Sequence, residues 1–261
     1  MIAGRGALAA AIMLAAVACR TEGTKDEVEP GLLDRAAADL LSENYSSAAF
    51  KYEQFLRVNP ETSRRAWIYA QVGLCRNGAG DYEGAIRNFD QALVAGPDPV
   101  LRLQIRYRRA IAQNFLDRPE GALSDLEEVQ LAPKELRDRA VKTTEFLRIL
   151  GVTEIRAGFW PRGQKTFREL VEKHPQSQEA VLVKPLLMLK AFTVQVAGCA
   201  DEKAARARVT EFLKKGIVAR ILDLPERPGV AVVSGEFARY PDAVRERARI
   251  RAMGIDAFIL P

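Results

Sequence analysis

The chain has 261 residues, of which 48% are hydrophobic and 28% charged, so it can bury the core of one large domain or two small ones. Three cysteines exclude a small fold held together by disulfides, and the globular composition excludes a disordered chain. One histidine argues against a histidine-based metal site or catalytic triad. A formal net charge of +5 is too small by itself to indicate nucleic-acid binding.

The N-terminus has the layout of an export signal. Arg5 is the only charged residue before Cys19, and residues 6–18 form an unbroken run of small or apolar residues. The run is too short to span a membrane, which takes roughly 20 residues. We therefore expect residues 1–18 to be a signal peptide that is removed.

Residues 14–19, Leu-Ala-Ala-Val-Ala-Cys, resemble the lipobox of bacterial lipoproteins. The resemblance implies cleavage before Cys19 and a covalent lipid on that cysteine. Because Arg20 rather than Asp follows, it also implies a place at the periplasmic face of the outer membrane. The stretch 16–18, Ala-Val-Ala, equally suits ordinary signal cleavage, so that alternative stays open. Polar, aperiodic residues 19–30 are predicted to be the lipidated N-terminus and a flexible tether.

A repeat with a spacing near 37 residues follows the tether. Each copy has a small residue, an aromatic or apolar residue four positions later and a proline about twelve positions later. The small residues are Ala48, Ala85, Ala122 and Gly163, at spacings of 37, 37 and 41 residues. A second small residue stands twelve positions before each of them: Ala36, Gly73, Ala110 and Gly151.

This pattern resembles the tetratricopeptide repeat, a helix–turn–helix of 34 residues. The resemblance implies a mainly α fold, a right-handed superhelical solenoid of helix pairs, with four repeats in residues 31–177. An irregular helical bundle is the alternative, but it gives no reason for the coincident spacings. Arg106 and Arg109 depart from the family, which has bulky apolar residues there. Residues 178–215 continue at helical spacing and are predicted to form a degenerate fifth helix pair.

Residues 216–261 change character. A short β run at 230–233, a helix at 241–253 and a second β run at 257–260 predict a small βαβ unit. This order resembles half of a SPOR domain, the peptidoglycan-binding module, and implies possible binding to peptidoglycan. The alternative is a unit that only caps the solenoid. Because a two-stranded sheet by itself is only marginally stable, we expect the unit to pair with another copy or to dock on the last helices.

The sequence contains no motif that is typical of a catalytic site. His174 lies in a predicted loop, and the chain has no spaced Cys/His cluster, phosphate-binding loop or nucleophile elbow. We therefore expect a protein that is not an enzyme, without catalytic residue, metal, small-molecule substrate or cofactor other than the lipid on Cys19. Nucleic acid is not expected as a partner, because the arginine clusters lack interleaved aromatic residues.

Tetratricopeptide proteins bind their partners on the concave face, which the first helix of each repeat lines. The resemblance therefore implies a groove for a peptide or helix of a protein partner. Its residues would be Trp67, Ala70, Leu74, Asn77, Tyr107, Ile111, Asn114, Arg148 and Val152. The amides of Asn77 and Asn114 would hold an extended backbone there. The alternative is that adjacent helices bury several of the apolar members.

Together these features predict a lipid-anchored periplasmic scaffold that assists the assembly or stability of an envelope machine. The tetratricopeptide lipoproteins that the chain resembles include pilotins of secretins and pili, the barrel-assembly component and gliding-machinery subunits. Two alternatives stay open, a peptidoglycan-binding protein and an adaptor for a cell-wall enzyme. We expect Trp67→Ala to abolish the scaffold role alone, and deletion of residues 216–261 to abolish wall binding alone.

Overall fold

The computed structural model describes residues 31–224 and 229–260. The predicted signal peptide, Cys19 and the tether lie outside these residues. The chain divides into two compact units, one ending at Asp98 and the other beginning at Pro99. Within the described ranges, no helix combines the length and the apolar character needed to cross a membrane.

The first unit consists of two helix pairs, in which each helix packs against the next. The helices are α1 (Leu32–Leu41), α2 (Tyr45–Val58), α3 (Arg65–Gly78) and α4 (Tyr82–Val94). The turn between α3 and α4 follows from its sequence, because Gly80 adopts a φ of +81° that favours glycine. Asp81 then caps α4 by accepting a hydrogen bond from the backbone N–H of Gly84 at 2.9 Å.

The second unit begins with four longer helices and two short ones. They are α5 (Pro99–Phe115), α6 (Pro119–Leu131), α7 (Lys134–Ala140), α8 (Thr143–Arg156), α9 (Trp160–Lys173) and α10 (Gln178–Val183). The short helix α7 packs against α5 and has no buried residue. It lies in the stretch where the repeat spacing rises from 37 to 41 residues.

Small residues of the repeat lie where two helices touch. A Cβ atom at Gly73 would fall 2.6 Å from the ring of Phe89, and one at Gly151 would fall 2.5 Å from the ring of Phe167. A Cβ atom at Gly163 would fall 2.5 Å from the carbonyl oxygen of Gly151. Real side chains do not approach so closely, so the helix pairs require these glycines.

Arg106 and Arg109, which depart from the family pattern, bind a carboxylate between the helices of the third pair. Arg106 Nη1 donates to Asp125 Oδ1 at 3.1 Å, and Arg109 Nε donates to Asp125 Oδ2 at 2.8 Å. Asp125 lies on α6 and is only 1% exposed. A buried ion cluster therefore replaces the apolar contact that the family has at this crossing.

The prediction of a fifth helix pair at residues 178–215 is wrong. After α10 the chain forms a 3₁₀ turn at Lys184–Met188, strand β1 (Phe192–Cys199) and helix α11 (Glu202–Lys214). Pro185 has no N–H to continue an α-helix. The β-branched residues Thr193, Val194 and Val196 favour a strand.

The C-terminal sheet has four strands, where the sequence predicted two. Its further elements are β2 (Ala219–Leu222), β3 (Val230–Phe237), α12 (Tyr240–Ala252) and β4 (Phe258–Leu260). The expected strand, helix and strand are present as β3, α12 and β4. However, the strand order is β2-β3-β1-β4, and all pairs are antiparallel, so β1 lies between the two predicted strands.

One hydrophobic core joins the sheet to helices α5–α10 of the same unit. The ring of Trp160 lies edge-on to Phe192 at 5.0 Å between centroids, and Phe192 lies edge-on to Tyr240 at 5.4 Å. The C-terminal unit therefore docks on the last helices, one of the two possibilities that the sequence left open. The predicted boundaries at residues 177/178 and 215/216 do not separate compact units.

Candidate functional site

One face of the C-terminal sheet packs against its helices. Directly paired residues on antiparallel strands share a face, and Val194 pairs with both Ser234 and Ile259. Ser234 Oγ lies 2.9 Å from Glu246 Oε1 of α12 in a hydrogen bond. Arg249 lowers the pKa of Glu246 by hydrogen bonding, so this carboxyl is ionised at neutral pH. The face that carries Val194 is thus the covered one.

The opposite face, away from α11 and α12, is exposed at Arg220 and Phe258, whereas Val233 between them is buried. Gln195 pairs with Val233 and Phe258, and Arg220 pairs with Val233 from the other side. Phe258 is 56% exposed. The guanidinium carbon of Arg251 lies 5.8 Å from the centre of its ring. We call Gln195, Arg220 and Phe258, with Arg251 beside them, the open sheet face.

These groups match the chemistry of a carbohydrate polymer that carries acidic substituents. An exposed aromatic ring packs against apolar ring surfaces, an amide bonds hydroxyl groups, and guanidinium groups bind carboxylates. Thr193 lies on the same face, because it pairs with Leu260 next to Val194. Its buried Oγ1 has no hydrogen-bond partner within the described ranges.

A polar cluster fixes α12 against the turn between α5 and α6. Tyr240 Oη donates to Asp117 Oδ1 at 2.5 Å, Arg247 pairs with Asp117, and Arg156 stacks over the Tyr240 ring at 5.1 Å. Burial opposes ionisation of Asp117, but the hydrogen bonds from Arg247 and Tyr240 outweigh it and lower the pKa of Asp117. Burial, together with Asp117, raises the pKa of Tyr240 to about 12. We call these four residues the Asp117 cluster.

The predicted groove residues of the first unit are at least half-buried. Ala70 and Asn77 are buried, and Trp67 and Leu74 are half-buried. The Trp67 ring packs edge-on against Tyr52 at 5.8 Å between centroids. Trp67 therefore contributes to the core of this unit, as the alternative of burial by adjacent helices expected.

The predicted groove residues of the second unit are arranged similarly. Tyr107 is buried, and the others, Ile111, Asn114, Arg148 and Val152, are half-buried. Burial raises the pKa of Tyr107 to about 12. Asn114 Nδ2 donates to Thr153 Oγ1 at 2.7 Å. The side-chain oxygens of Asn77 and Asn114 have no hydrogen-bond partner in the part of the chain that the structure describes. Binding of a partner by these residues stays a prediction.

The structure gives the protonation state of Cys75 and the spacing of possible metal ligands among the described residues. Burial raises the pKa of Cys75 to about 12, so its thiol is protonated at neutral pH. Within residues 31–224 and 229–260, no three His, Cys, Asp or Glu side chains lie close enough together to hold a metal ion.

Residues 189–261 match the family model of the SPOR domain. The C-terminal part of the chain is therefore similar to a SPOR domain, and the helix pairs before it carry the repeat spacing that resembles the tetratricopeptide pattern. The match begins just before β1, so it covers both halves of the unit, where the sequence had suggested half a domain. No curated protein matches the chain.

Several solved structures resemble the helical part of this SPOR-containing protein. A tetratricopeptide repeat protein from Parabacteroides merdae has 18% identity and a TM-score of 0.48, covering 60% of this chain and 57% of that one. YrrB, described as a TPR protein with an unusual peptide-binding site, has 18% identity and a TM-score of 0.48, covering 60% and 74%. The MamA RS-1 ArsTM double mutant has 16% identity and a TM-score of 0.49, covering 60% of this chain and 80% of that one. The matched part of the chain thus spans little more than half the length of the Parabacteroides merdae protein. The repeat assignment rests on the helix pairs and their glycine contacts, not on these scores.

Proposed function

We propose that this protein binds peptidoglycan through the open sheet face of its SPOR domain and offers its helix pairs as a scaffold for a protein partner. The observation that carries the proposal is the match of residues 189–261 to the SPOR family, together with a sheet face that carries Phe258, Gln195 and Arg220, with Arg251 of α12 beside the ring. Glycan strands of peptidoglycan offer sugar rings, hydroxyl groups and lactyl carboxyl groups. Each of these has a chemical counterpart on the open sheet face.

The charge of the domain supports an acidic polymer as its ligand. Residues 189–261 contain 13 Lys and Arg residues against 9 Asp and Glu residues. A net positive domain attracts a polyanion over several ångströms before contact is made. The positive charge thus favours glycan strands whose carboxyl groups are free.

We assign the helix pairs a binding role and not a catalytic one. Their partner would be a peptide or a helix seated against the first helix of a pair, near the half-buried Trp67 in the first unit or near the half-buried Arg148 in the second. Such a scaffold would assist the assembly or stability of an envelope machine, of the pilus, secretin, barrel-assembly or motility class.

A lipid on Cys19 is the third part of the proposal, and it would hold the protein at the periplasmic face of the outer membrane. Its support is the short apolar run that ends in Leu-Ala-Ala-Val-Ala-Cys. Mass spectrometry of the envelope-purified protein should find an acylated N-terminal cysteine, and a Cys19→Ser variant should lose both the acyl chains and membrane association. An unmodified wild-type N-terminus would refute the anchor.

Glycan binding is tested by nuclear magnetic resonance on an isotope-labelled chain that begins at Arg20. Titration with soluble glycan fragments released from peptidoglycan should shift the signals of Gln195, Arg220 and Phe258. Arg220→Glu should weaken binding about tenfold, because it replaces attraction of a carboxylate by repulsion. Arg206→Glu, an equally large charge change on exposed α11, is the control and should bind as the wild type does. Shifts confined to α11 and α12 would contradict the proposed site.

A further inference from the structure

An exposed apolar ridge follows the last complete helix pair. Val181, Leu182 and Met188 are 56%, 54% and 51% exposed. They belong to one continuous helical run, α10 with the 3₁₀ turn after it. Because residues 184–188 form a 3₁₀ turn, the exposed side chains of these three residues, and not an α-helical spacing, show that all three face outward. We call these three residues the apolar ridge.

The inner side of this run is held in place, which keeps the ridge facing outward. Val183 and Pro185 are buried. Gln164 Nε2 of α9 donates to the carbonyl oxygens of Leu186 at 3.4 Å and Leu189 at 3.3 Å. The segment therefore cannot rotate its exposed side chains into the core without losing these contacts.

The segment that carries the ridge has charged residues of only one sign in its sequence. No acidic residue occurs between Glu179 and Asp201, and the two charged residues in that interval are Lys184 and Lys190. Both lysines are exposed. Segments that lie in a membrane interface combine apolar residues, which enter the boundary of the acyl chains, with lysines, which contact anionic headgroups.

We propose that residues 181–190 dock on an anionic lipid surface, with the apolar ridge at the level of the headgroups and Lys184 and Lys190 against lipid phosphates. A partner protein could bury apolar side chains too. However, the segment contains two lysines and no acidic residue, and this charge is complementary to anionic lipid. This contact goes beyond the proposed function and does not depend on the lipid at Cys19. A single acyl chain binds a membrane only marginally, so a second contact adds to any anchor.

Vesicle flotation tests the proposal on the chain that begins at Arg20, which lacks Cys19 and contains every described residue. The chain should float with vesicles of phosphatidylcholine and phosphatidylglycerol in equal parts, and not with phosphatidylcholine alone. Leu182→Glu combined with Met188→Glu should lower the partition coefficient at least about tenfold, because both apolar contacts are replaced by charges. Lys184→Gln combined with Lys190→Gln should lower it several-fold on the anionic vesicles.

Val94→Glu combined with Leu131→Glu is the matched control, because it adds the same two charges at residues that are 89% and 85% exposed and lie outside the ridge. It should float as the wild type does, and thermal melting should show all variants folded. Failure of the wild type to float, or unchanged flotation of the double Glu variant, would overturn the proposal. So would self-association in solution that the double Glu variant abolishes, which would make a second copy of the chain the occupant. Binding to peptidoglycan is measured in a separate experiment. A failure of peptidoglycan binding can therefore be told apart from a failure of vesicle binding.

Discussion

Gly163 shows how single residues fix the distance between paired helices. The repeat pattern predicted small residues at the helix crossings, and the structure places Gly163 against the backbone of Gly151. That part of the fold could be predicted because small residues at fixed spacing are a local signal. The aromatic partner of each glycine, such as Phe167, is a detail of packing that spacing alone does not give.

Gly163→Val should lower the free energy of unfolding by about 2–3 kcal/mol more than Lys165→Val does. Both substitutions place valine in α9, and only position 163 meets the backbone of α8. Helix propensity favours Gly→Val over Lys→Val by less than about 1 kcal/mol, so it opposes the expected difference and cannot produce it. Chemical denaturation of the two variants and the wild type measures the difference. Equal destabilisation would mean that the two helices can separate without cost.

Asp117 is a residue whose role no local pattern reveals. It adopts a φ of +57° in the turn after α5, and it binds Tyr240 and Arg247, which are more than 120 positions away in sequence. Nothing in the spacing of the arginines of α12 distinguishes Arg247 from Arg245 and Arg249. Its partner is brought near only by the tertiary fold.

Asp117→Asn should destabilise the protein by about 2 kcal/mol at pH 7, because Arg247 loses its counter-charge. Folding lowers the pKa of Asp117 from its ordinary 3.8, so its charge stabilises the fold above that pH. The stabilisation is lost as the pH falls through the lower folded-state pKa. The difference between variant and wild type should therefore shrink below about pH 4, as urea denaturation at several pH values would show. A difference that stayed constant down to pH 2.5 would contradict the ionic role. Asn also tolerates the left-handed backbone, so the change tests charge and not strain.

The α5–α6 pair is an element in which charge replaces apolar packing. Asp125→Ala should lower the free energy of unfolding by about 2–3 kcal/mol, because Arg106 and Arg109 then lose the buried carboxylate that both of them bind. Replacing all three by leucine should restore most of that loss, since the family carries apolar residues at the arginine positions. Thermal unfolding measures both. A triple variant less stable than Asp125→Ala would show that the crossing cannot accept an apolar core.

Helix α12 and strand β1 show which elements a sequence reveals. The helix was predicted at 241–253 and is found at Tyr240–Ala252, since Pro241 near its start and Gly254 after its end are local signals. Strand β1 has register shifts on both sides of Val194, and its first three residues are all buried. The alternation of a half-buried strand is therefore missing, so the apolar run predicts a helix instead of a strand.

At the scale of the molecule, the sequence predicted a helical repeat followed by a small α/β unit, and both are present. The location of the boundary was wrong, because the SPOR domain and helices α5–α10 share one core. That sharing depends on long-range contacts such as Trp160 with Phe192, which no periodic pattern encodes. Trp67, chosen as a groove residue, is also a packing residue against Tyr52.

Deletion of residues 216–261 should therefore damage more than wall binding. It removes three of the four strands and α12, and it leaves Phe192, Val194 and Asp117 without their partners. We expect the truncated chain to melt at a clearly lower temperature than the wild type, because a buried core becomes exposed. Circular dichroism measures this directly. Unchanged melting of the remaining helices would show that the two parts fold independently.

Co-sedimentation with purified peptidoglycan sacculi tests the central claim most directly. The chain that begins at Arg20 should pellet with sacculi, and Arg220→Glu combined with Phe258→Ala should weaken binding at least about tenfold. Arg206→Glu combined with Leu213→Ala makes the same kinds of change on exposed residues of α11 and should pellet as the wild type does. A wild-type chain that stays in the supernatant, or two double variants that bind alike, would contradict binding through the open sheet face.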